Sequence, residues 1–198
     1  MADERTIAVY NKKAADYAKL VERETPDADL RAFMEALPPG GNVLDLGCGP
    51  GQSSAFLRDA GFRPDPVDAS PGMVAAARDT HGLEARLATF EDISGEAIYD
   101  GIWANFSLLH APRADLPRLI GALALALKPQ GVFHIGMKTG EGSHRDGIDR
   151  LYTYVTTEEL AGLLSDAGLS VLAVREGEEA GLSGEVAPFV IMRTRKDG

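Results

Sequence analysis

The chain alternates short apolar runs with segments of helical periodicity from residue 42 to its end. The short runs predict strands and the periodic segments predict crossover helices, an order typical of a mostly parallel sheet. Strands are expected near 42–46, 62–67, 84–88, 98–104, 131–137, 169–175 and 186–193. Helices are expected near 52–60, 71–79, 115–127 and 157–167. The pattern therefore predicts an α/β fold, a doubly wound, mostly parallel seven-stranded sheet with helices on both faces.

The segment before the first strand has a different pattern. Apolar and aromatic positions, among them Tyr10 and Tyr17, recur at helical spacing through residues 6–36 and predict one or two helices. The sequence PPGG at 38–41 breaks this helical segment from the sheet. We predict a single domain, residues 1–198, with an N-terminal helical part (1–40) and a core (41–198).

The second predicted strand contains two prolines, Pro64 and Pro66. Because they stand at alternate positions, the backbone donors that they lack are on the same side of the strand. We expect the ladder on that side to be weakened and the ladder on the other side to stay intact.

A glycine-rich turn follows the first strand directly, in residues 43–51 (VLDLGCGPG). Strand, tight turn and helix in that order form the ligand end of a doubly wound sheet. Gln52 stands where the dinucleotide fingerprint has its third glycine, and the Lys-Ser/Thr ending of a phosphate loop is missing. Asp45, at the end of the strand, would repel a pyrophosphate and attract an ammonium group.

A second acid, Asp68, ends the next predicted strand, 23 residues after Asp45 (68 − 45). An acid at this offset binds the hydroxyl groups of a ribose in folds of this kind. The following Ser70 and Pro71 are typical of a helix start. The two acids thus indicate a ligand with a ribose and a cation and without a required phosphate, and S-adenosylmethionine fits that description.

Four motifs in order extend this pattern: residues 43–51, 67–73 (VDASPGM), 99–110 (YDGIWANFSLLH) and 127–131 (LKPQG). Together they resemble the class I S-adenosylmethionine-dependent methyltransferases, from about Tyr10 to the C-terminus. The resemblance is strongest to compact bacterial enzymes that methylate small molecules, a group that includes tellurite-resistance methyltransferases. It implies a Rossmann-like sheet. Gln130 departs from the family's usual glycine, in a turn expected to lie away from the cofactor.

The resemblance implies a role for each residue near the methionine end of the cofactor. The backbone of Gly47, Cys48 and Gly49 would face that end, and Asp45 would balance its ammonium group. Asn105 would close the pocket at the end of the fourth strand. The Cys48 side chain is either a nucleophile or a small packing residue, and the absence of an adjoining basic side chain favours packing.

The resemblance also assigns the adenosine end. Asp68 would bind the ribose, while Ala69 and Met73 would flank the adenine; Met73 is equally consistent with a core position. Thr89 stands where many relatives have an acid that meets the adenine amino group. That contact would then come from the Phe90 backbone, or from Asp92.

Tyr10 and Tyr17 resemble an N-terminal pattern that covers the cofactor and substrate in related enzymes. A lid of this kind would exclude water and would move during turnover. The alternative is an amphipathic helix that packs on the sheet.

The candidate catalytic residues are His110, Arg145 and Tyr152. His110 lies just past the fourth strand, at the ligand-bearing edge, and is either a base, a substrate contact or a residue that shapes its loop. Arg145 and Tyr152 lie in the long segment 138–154, where Lys138 and Arg150 are further candidate anion ligands. The alternative is a solvated loop whose cations pair with its own acids: Glu141, Asp146 and Asp149.

The composition limits the classes of molecule that the protein is expected to bind. The formal net charge is −10, from 20 basic and 30 acidic residues; this charge disfavours a nucleic acid as a partner, and a small molecule is expected. One cysteine, no signal peptide and no apolar run of membrane-spanning length predict a cytoplasmic protein without membrane contact. No cluster of metal-ligating residues is evident, so no metal is expected.

The sequence therefore predicts an S-adenosylmethionine-dependent enzyme that methylates an O, N, S or chalcogen atom of a small polar or anionic molecule. The pattern does not choose the atom. One alternative is a catalytically silent module that binds S-adenosylmethionine or S-adenosylhomocysteine. A nicotinamide-dependent oxidoreductase is disfavoured by Asp45 and Gln52.

Overall fold

The computed structural model describes residues 2–198, which form seven α-helices, three short 3₁₀ helices and nine strands. The helices are α1 (Glu4–Lys12), α2 (Ala14–Val21), α3 (Ala28–Glu35), α4 (Gln52–Asp59), α5 (Pro71–His81), α6 (Leu116–Ala126) and α7 (Thr157–Asp166). The strands are β1 (Asn42–Leu46), β2 (Arg63–Asp68), β3 (Arg86–Leu87), β4 (Tyr99–Asn105), β5 (Leu127–Lys138), β6 (Ser143–Arg145), β7 (Leu151–Thr153), β8 (Leu169–Ala180) and β9 (Val186–Lys196).

Seven of these strands form one sheet in the order β3-β2-β1-β4-β5-β9-β8. Strand β9 runs antiparallel to both of its neighbours, and the other pairings are parallel. The chain moves outward in one direction from β1 and in the other from β4, so their adjacent carboxyl ends mark a topological switch point. The predicted mostly parallel, doubly wound sheet is confirmed.

Neighbouring residues of β1 and β4 face opposite sides of the sheet, as the two-residue period of a strand requires. Val43 and Trp103 pack in one buried cluster with residues of α3 and α4. Leu44 and Ile102 pack in a second cluster with residues of α6 and α7. Helices therefore cover both faces, and the carboxyl ends of the strands stay open for a ligand.

The N-terminal segment and the region after β5 differ from the sequence prediction. Three helices precede β1 where one or two were expected, because Asp27 caps α3 through the Leu30 amide. A two-stranded hairpin, β6–β7, lies within the segment that was treated as a loop. Strands β8 and β9 extend as a long antiparallel pair well past the predicted ends of 175 and 193.

The two prolines of β2 have the expected consequence. The N–H of Arg63 and the carbonyl of Val67 point toward the β1 side, and the carbonyl of Asp68 points toward β3. Pro64 and Pro66 share the orientation of Asp68, so their missing donors face β3. The β1 ladder covers five residue pairs, while the β3 ladder is confined to two.

None of the helices within residues 2–198 combines the length and the apolar character needed to cross a membrane.

Candidate active site

The turn after β1 brings backbone close to the switch point. Gly47 and Gly49 have φ of +73° and +54°, a left-handed conformation that glycine adopts without strain. A Cβ on Gly47 would lie 2.5 Å from the Cβ of Ser107, so a larger residue does not fit. The amides of Gly47 and Cys48 both donate to the carbonyl of Val67, at 2.8 and 2.9 Å. The turn is thereby held open as a cradle at the ends of β1 and β2.

Asp45 is buried directly beneath this cradle, with 2% of its surface exposed. Its carboxylate accepts a hydrogen bond from the Ser54 hydroxyl at 2.7 Å. Burial raises the pKa of Asp45 to about 7, and the nearby charge of Asp68 contributes in the same direction. A cation bound here would compensate the buried negative charge, which fits the ammonium group of S-adenosylmethionine.

Asp68 is oriented by two backbone amides at the end of β2. One carboxylate oxygen accepts from the Gly49 N–H and the other from the Ser70 N–H, both at 2.8 Å. Burial raises the pKa of this carboxyl group as well. Each oxygen keeps further acceptor capacity, so the group fits the two hydroxyls of a ribose.

A crevice of about 90 Å³ opens over these groups at the switch point. Ten of the twelve residues predicted for the cofactor line it: Tyr10, Tyr17, Gly47, Gly49, Asp68, Ala69, Met73, Thr89, Phe90 and Asn105. The other two, Asp45 and Cys48, line an adjoining larger cavity. Asp92 does not line the crevice, because its carboxylate caps the turn by accepting the N–H and hydroxyl of Thr89. The Cys48 thiol is buried, and burial raises its pKa.

The larger cavity has a volume of about 600 Å³ and shares its wall with the crevice. Residues common to both are Tyr10, Tyr17, Gly47, Gly49, Asn105 and Phe106. Helices α2 and α3, the hairpin residues Arg150 and Tyr152, and the β8–β9 pair complete its lining. A space of this size accommodates a small organic molecule beside the cofactor site.

Helices α1 and α2 cover the crevice from above. The side-chain oxygen of Asn11 accepts the Gly72 N–H at 2.7 Å, which ties this cover to α5. The Thr6 hydroxyl accepts the Leu151 N–H at 2.8 Å, which ties it to β7. Tyr10 and Tyr17 meet edge to face, with ring centroids 5.5 Å apart.

A family model described as a methyltransferase domain matches residues 17–174, which is more than half of the chain. The chain belongs to the class I S-adenosylmethionine-dependent methyltransferases. The enzyme class and the cofactor predicted from the motifs are thus confirmed, and the alternative of a nicotinamide-dependent enzyme is wrong.

Two curated relatives give the level of similarity. A trans-aconitate 2-methyltransferase of Escherichia coli O157:H7 is 38% identical over 168 residues, which cover 76% of this chain and 64% of the relative. A cypemycin N-terminal methyltransferase of a Streptomyces species is 30% identical over 174 residues, covering 78% and 71%. The chain spans about half to two thirds of the length of the trans-aconitate methyltransferases that it matches.

Solved structures share the fold. The 1,6-didemethyltoxoflavin-N1-methyltransferase of Burkholderia thailandensis, solved with its substrate and S-adenosylhomocysteine, superposes with a TM-score of 0.74. It covers 98% of this chain and 88% of its own at 23% identity. At that identity the likeness establishes the fold.

In this methyltransferase, His110 is held from both ring nitrogens. Nδ1 lies 2.6 Å from the carbonyl of Leu151, which can only accept, so Nδ1 carries the proton. Nε2 lies 2.8 Å from the Tyr10 hydroxyl and therefore accepts from it. Burial lowers the pKa of His110 to about 4, so the ring is neutral at physiological pH. Its lone pair is already occupied by Tyr10.

Arg150 extends the hydrogen-bond network that Tyr10, His110 and Leu151 form. It is 2% exposed and pairs with Asp146, its Nη2 lying 2.7 Å from a carboxylate oxygen. Its Nη1 donates to the Tyr10 hydroxyl at 2.7 Å. The guanidinium carbon lies 5.2 Å from the Tyr10 ring centroid and 5.1 Å from that of Tyr152. Arg150 thus links the covering helix to the hairpin.

Arg145 occupies a different place from the one that its candidate role requires. It lines neither cavity, and its guanidinium binds Asp3 at 2.7 Å and the carbonyl of Asp149 at 2.7 Å. This hydrogen bond holds the pKa of Asp3 well below its usual range. Arg145 therefore contacts α1 rather than the ligand space, because Asp3 at the start of α1 is within its reach. Tyr152, in contrast, lines the larger cavity.

Sequence reasoning missed two groups of cavity residues. Phe106 lines both spaces and has a φ of +56°, a strained conformation of the kind found at functional sites. Its position directly after Asn105 was a usable signal. Arg175 and Glu179 come from β8, where the sequence shows an ordinary polar strand and no motif.

Proposed function

We propose that this methyltransferase acts on a small polar or anionic molecule and that the favoured acceptor is a carboxylate oxygen. The observation that carries the proposal is the 600 Å³ cavity, which continues from the cofactor crevice and is lined by the buried Lys138, whose ammonium has no carboxylate within hydrogen-bond distance in the part of the chain that the structure describes. The names of the trans-aconitate methyltransferase relatives support an anionic substrate.

The state of His110 favours an acceptor that needs no base. When bound, the cofactor supplies a methyl group on a sulfonium, which an in-line nucleophile accepts. An amine or phenol that arrives protonated must lose its proton, whereas a carboxylate is already ionised at pH 7. Because Nε2 of His110 accepts from Tyr10, we assign His110 to positioning the cover and not to proton abstraction.

The remaining site residues have roles in binding and in excluding water. Asp45 and Asp68 would hold the ammonium and ribose of the cofactor, and the glycine turn would face its methionine end. Residues 1–40 would act as a lid on the core of 41–198, with Tyr10 and Tyr17 closing the reacting centre against water. Tyr152 would form part of the substrate wall.

The test is release of S-adenosylhomocysteine with a panel matched in size: trans-aconitate and fumarate against amines and phenols. We expect turnover confined to the carboxylates. At saturating cofactor and substrate, kcat should stay constant between about pH 6 and 9, because no base titrates in that range. A limb in kcat near the ordinary histidine pKa, or turnover of amines alone, would contradict a carboxylate acceptor.

A His110→Gln variant separates positioning from catalysis. Loss of a general base typically costs about 100-fold or more in kcat, so we expect a decrease well below that. Tight cofactor binding without turnover of any panel member would instead favour the catalytically silent module.

A further inference from the structure

Four cationic side chains line the larger cavity: Arg23, Lys138, Arg150 and Arg175. The three arginines each have a carboxylate in direct hydrogen-bond contact, from Asp27, Asp146 and Asp29 respectively. Lys138 is different. Its ammonium donates to the backbone carbonyls of Glu179 and Ala187, at 3.4 and 3.2 Å, and the nearest carboxylate oxygen recorded for it within residues 2–198 lies 3.8 Å away.

Two aromatic rings also flank the buried ammonium of Lys138. Its side chain is 6% exposed, and the ammonium lies 5.4 Å from the Phe106 ring centroid and 5.6 Å from that of Phe189. Burial lowers the pKa of Lys138, so this environment compensates the charge incompletely. Phe106 also lines the cofactor crevice. Phe106 therefore lies between the Lys138 ammonium and the cofactor crevice, in contact with both spaces.

The acid nearest to Lys138 is Glu179, which reaches it from β8. Its side chain is 44% exposed, and its carboxylate oxygen lies beyond hydrogen-bond distance of the ammonium. A partly exposed pair of this geometry is weak, and a competing anion can replace it at small cost. The Arg150–Asp146 pair, buried on both sides and doubly hydrogen-bonded, is not replaceable in this way.

We propose that Lys138 is the specificity-determining residue of the cavity and binds a second anionic group of the substrate, remote from the carboxylate that accepts the methyl. Glu179 holds this position until the substrate replaces it. The substrate class is then a compact dicarboxylate. This inference rests on the proposed function for the reacting carboxylate, while the binding step at Lys138 can be tested without turnover.

The test compares fumarate with crotonate, which has a methyl group in place of one carboxylate. We expect Lys138→Gln to lower the ratio of the two kcat/KM values, fumarate over crotonate, at least about tenfold. The reason is that the fumarate carboxylate that does not accept the methyl group loses its ammonium partner. Glu179→Gln should raise kcat/KM for fumarate by about threefold, since the competing carboxylate is gone. Lys128→Gln, which removes an ammonium bound to Asp100 outside either cavity, serves as the matched control.

Two results would overturn the proposal: equal losses for both substrates in Lys138→Gln, or a lower kcat/KM for fumarate in Glu179→Gln. Lys138→Met and thermal melting keep the test valid if the glutamine variant unfolds, since methionine fills the space between the two rings. If neither acid is methylated, calorimetry with fumarate and the S-adenosylhomocysteine-loaded protein decides. If Lys138→Gln binds fumarate about tenfold more weakly than the unmodified protein, the anion site at Lys138 is supported although the acceptor proposal fails. If the unmodified protein does not bind fumarate, or if the two proteins bind it equally, the proposal for Lys138 is overturned.

Discussion

The cofactor crevice and the substrate cavity are built in opposite ways. The part of the cofactor site at the ends of β1 and β2, within residues 45–73, is a glycine turn whose two neighbouring acids, Asp45 and Asp68, are oriented by a hydroxyl or by amides close in the fold. The cavity is closed by side chains from α2–α3, the β6–β7 hairpin and the β8–β9 pair. Backbone geometry gives a fixed site for a common cofactor, whereas ion pairs between distant segments give a wall that variation can adjust.

The two spaces also differ in charge. Asp68 lines the crevice, and the buried Asp45 lies beneath the glycine turn where the cavity adjoins it, while Lys138 and Arg150 line the cavity. Negative charge suits the cationic end of the cofactor, and positive charge suits an anionic acceptor. Among the described residues, the cavity balances its four basic side chains with four acids, Asp27, Asp29, Asp45 and Glu179, in a chain of net charge −10.

The largest effect is expected from Gly47→Ala, which changes the backbone of the glycine turn at the cofactor site. A Cβ there meets Ser107 at 2.5 Å and must adopt a φ of +73°, so the cradle has to shift. We expect cofactor affinity to fall at least about 100-fold, measured by calorimetry. Gly82→Ala is the control, since Gly82 has a φ of +63° and open space around its Cβ. It should cost about 1–2 kcal/mol of unfolding free energy and leave cofactor binding unchanged.

Asp45→Asn tests whether the crevice uses its buried charge. We expect cofactor affinity to fall at least about tenfold at pH 8, while the affinity of the unmodified protein declines as pH falls through about 7 and Asp45 becomes protonated. The folded pKa lies above the unfolded value, so the stability that Asp45 contributes is present at low pH and is lost between about pH 4 and 7.

The cofactor-free Asn variant should therefore melt at a higher temperature than the unmodified protein at pH 8 and show no such loss. Asp59→Asn, at an exposed position of α4, is the control. Equal melting temperatures at pH 8 would contradict a destabilising buried carboxylate.

Arg145→Gln is expected to have a smaller effect, because it removes only one of the ion pairs that join the N-terminal end of α1 to the β6–β7 hairpin. A second pair, Arg5–Asp149, remains at 2.5 Å. Since α1 residues line the crevice and Tyr10 lines both spaces, KM for cofactor and for substrate should both rise about two- to fivefold. An increase in the substrate KM alone would restore a direct substrate contact for Arg145. Arg78→Gln is the control: it removes an exposed ion pair with Asp79 on α5 and should change neither KM.

The smallest effect is expected from Gln130→Gly, at a position outside both spaces. Gln130 has a φ of +63°, a conformation that disfavours side chains. Glycine should raise the free energy of unfolding by about 1 kcal/mol, measured by urea denaturation, with cofactor affinity unchanged. Ala75→Gly, within α5, should lower it by a similar amount, about 1 kcal/mol. A destabilised Gln130→Gly would show that the glutamine side chain has contacts that outweigh the strain.

The family resemblance implied most of the crevice residues, whereas local sequence was sufficient to predict the sheet, its glycine turn and the acids Asp45 and Asp68. These features depend on strand periodicity, on positive φ at glycines and on acids at strand ends, all of which act over a few neighbouring residues. The asymmetry of the two ladders beside Pro64 and Pro66 follows from the same local rules.

Only the tertiary structure decided how the cavity is closed and which of its cations is free for an anion. Arg145 meets Asp3 across 142 residues, and Tyr10 meets His110 across 100. Whether a cation is held by an acid or can exchange it for a ligand depends on which carboxylate the fold brings within hydrogen-bond distance, and no local pattern encodes that distance. Lys138 and Arg150 are both basic residues of one predicted loop, and only their neighbours in space distinguish a ligand-binding ammonium from a structural guanidinium.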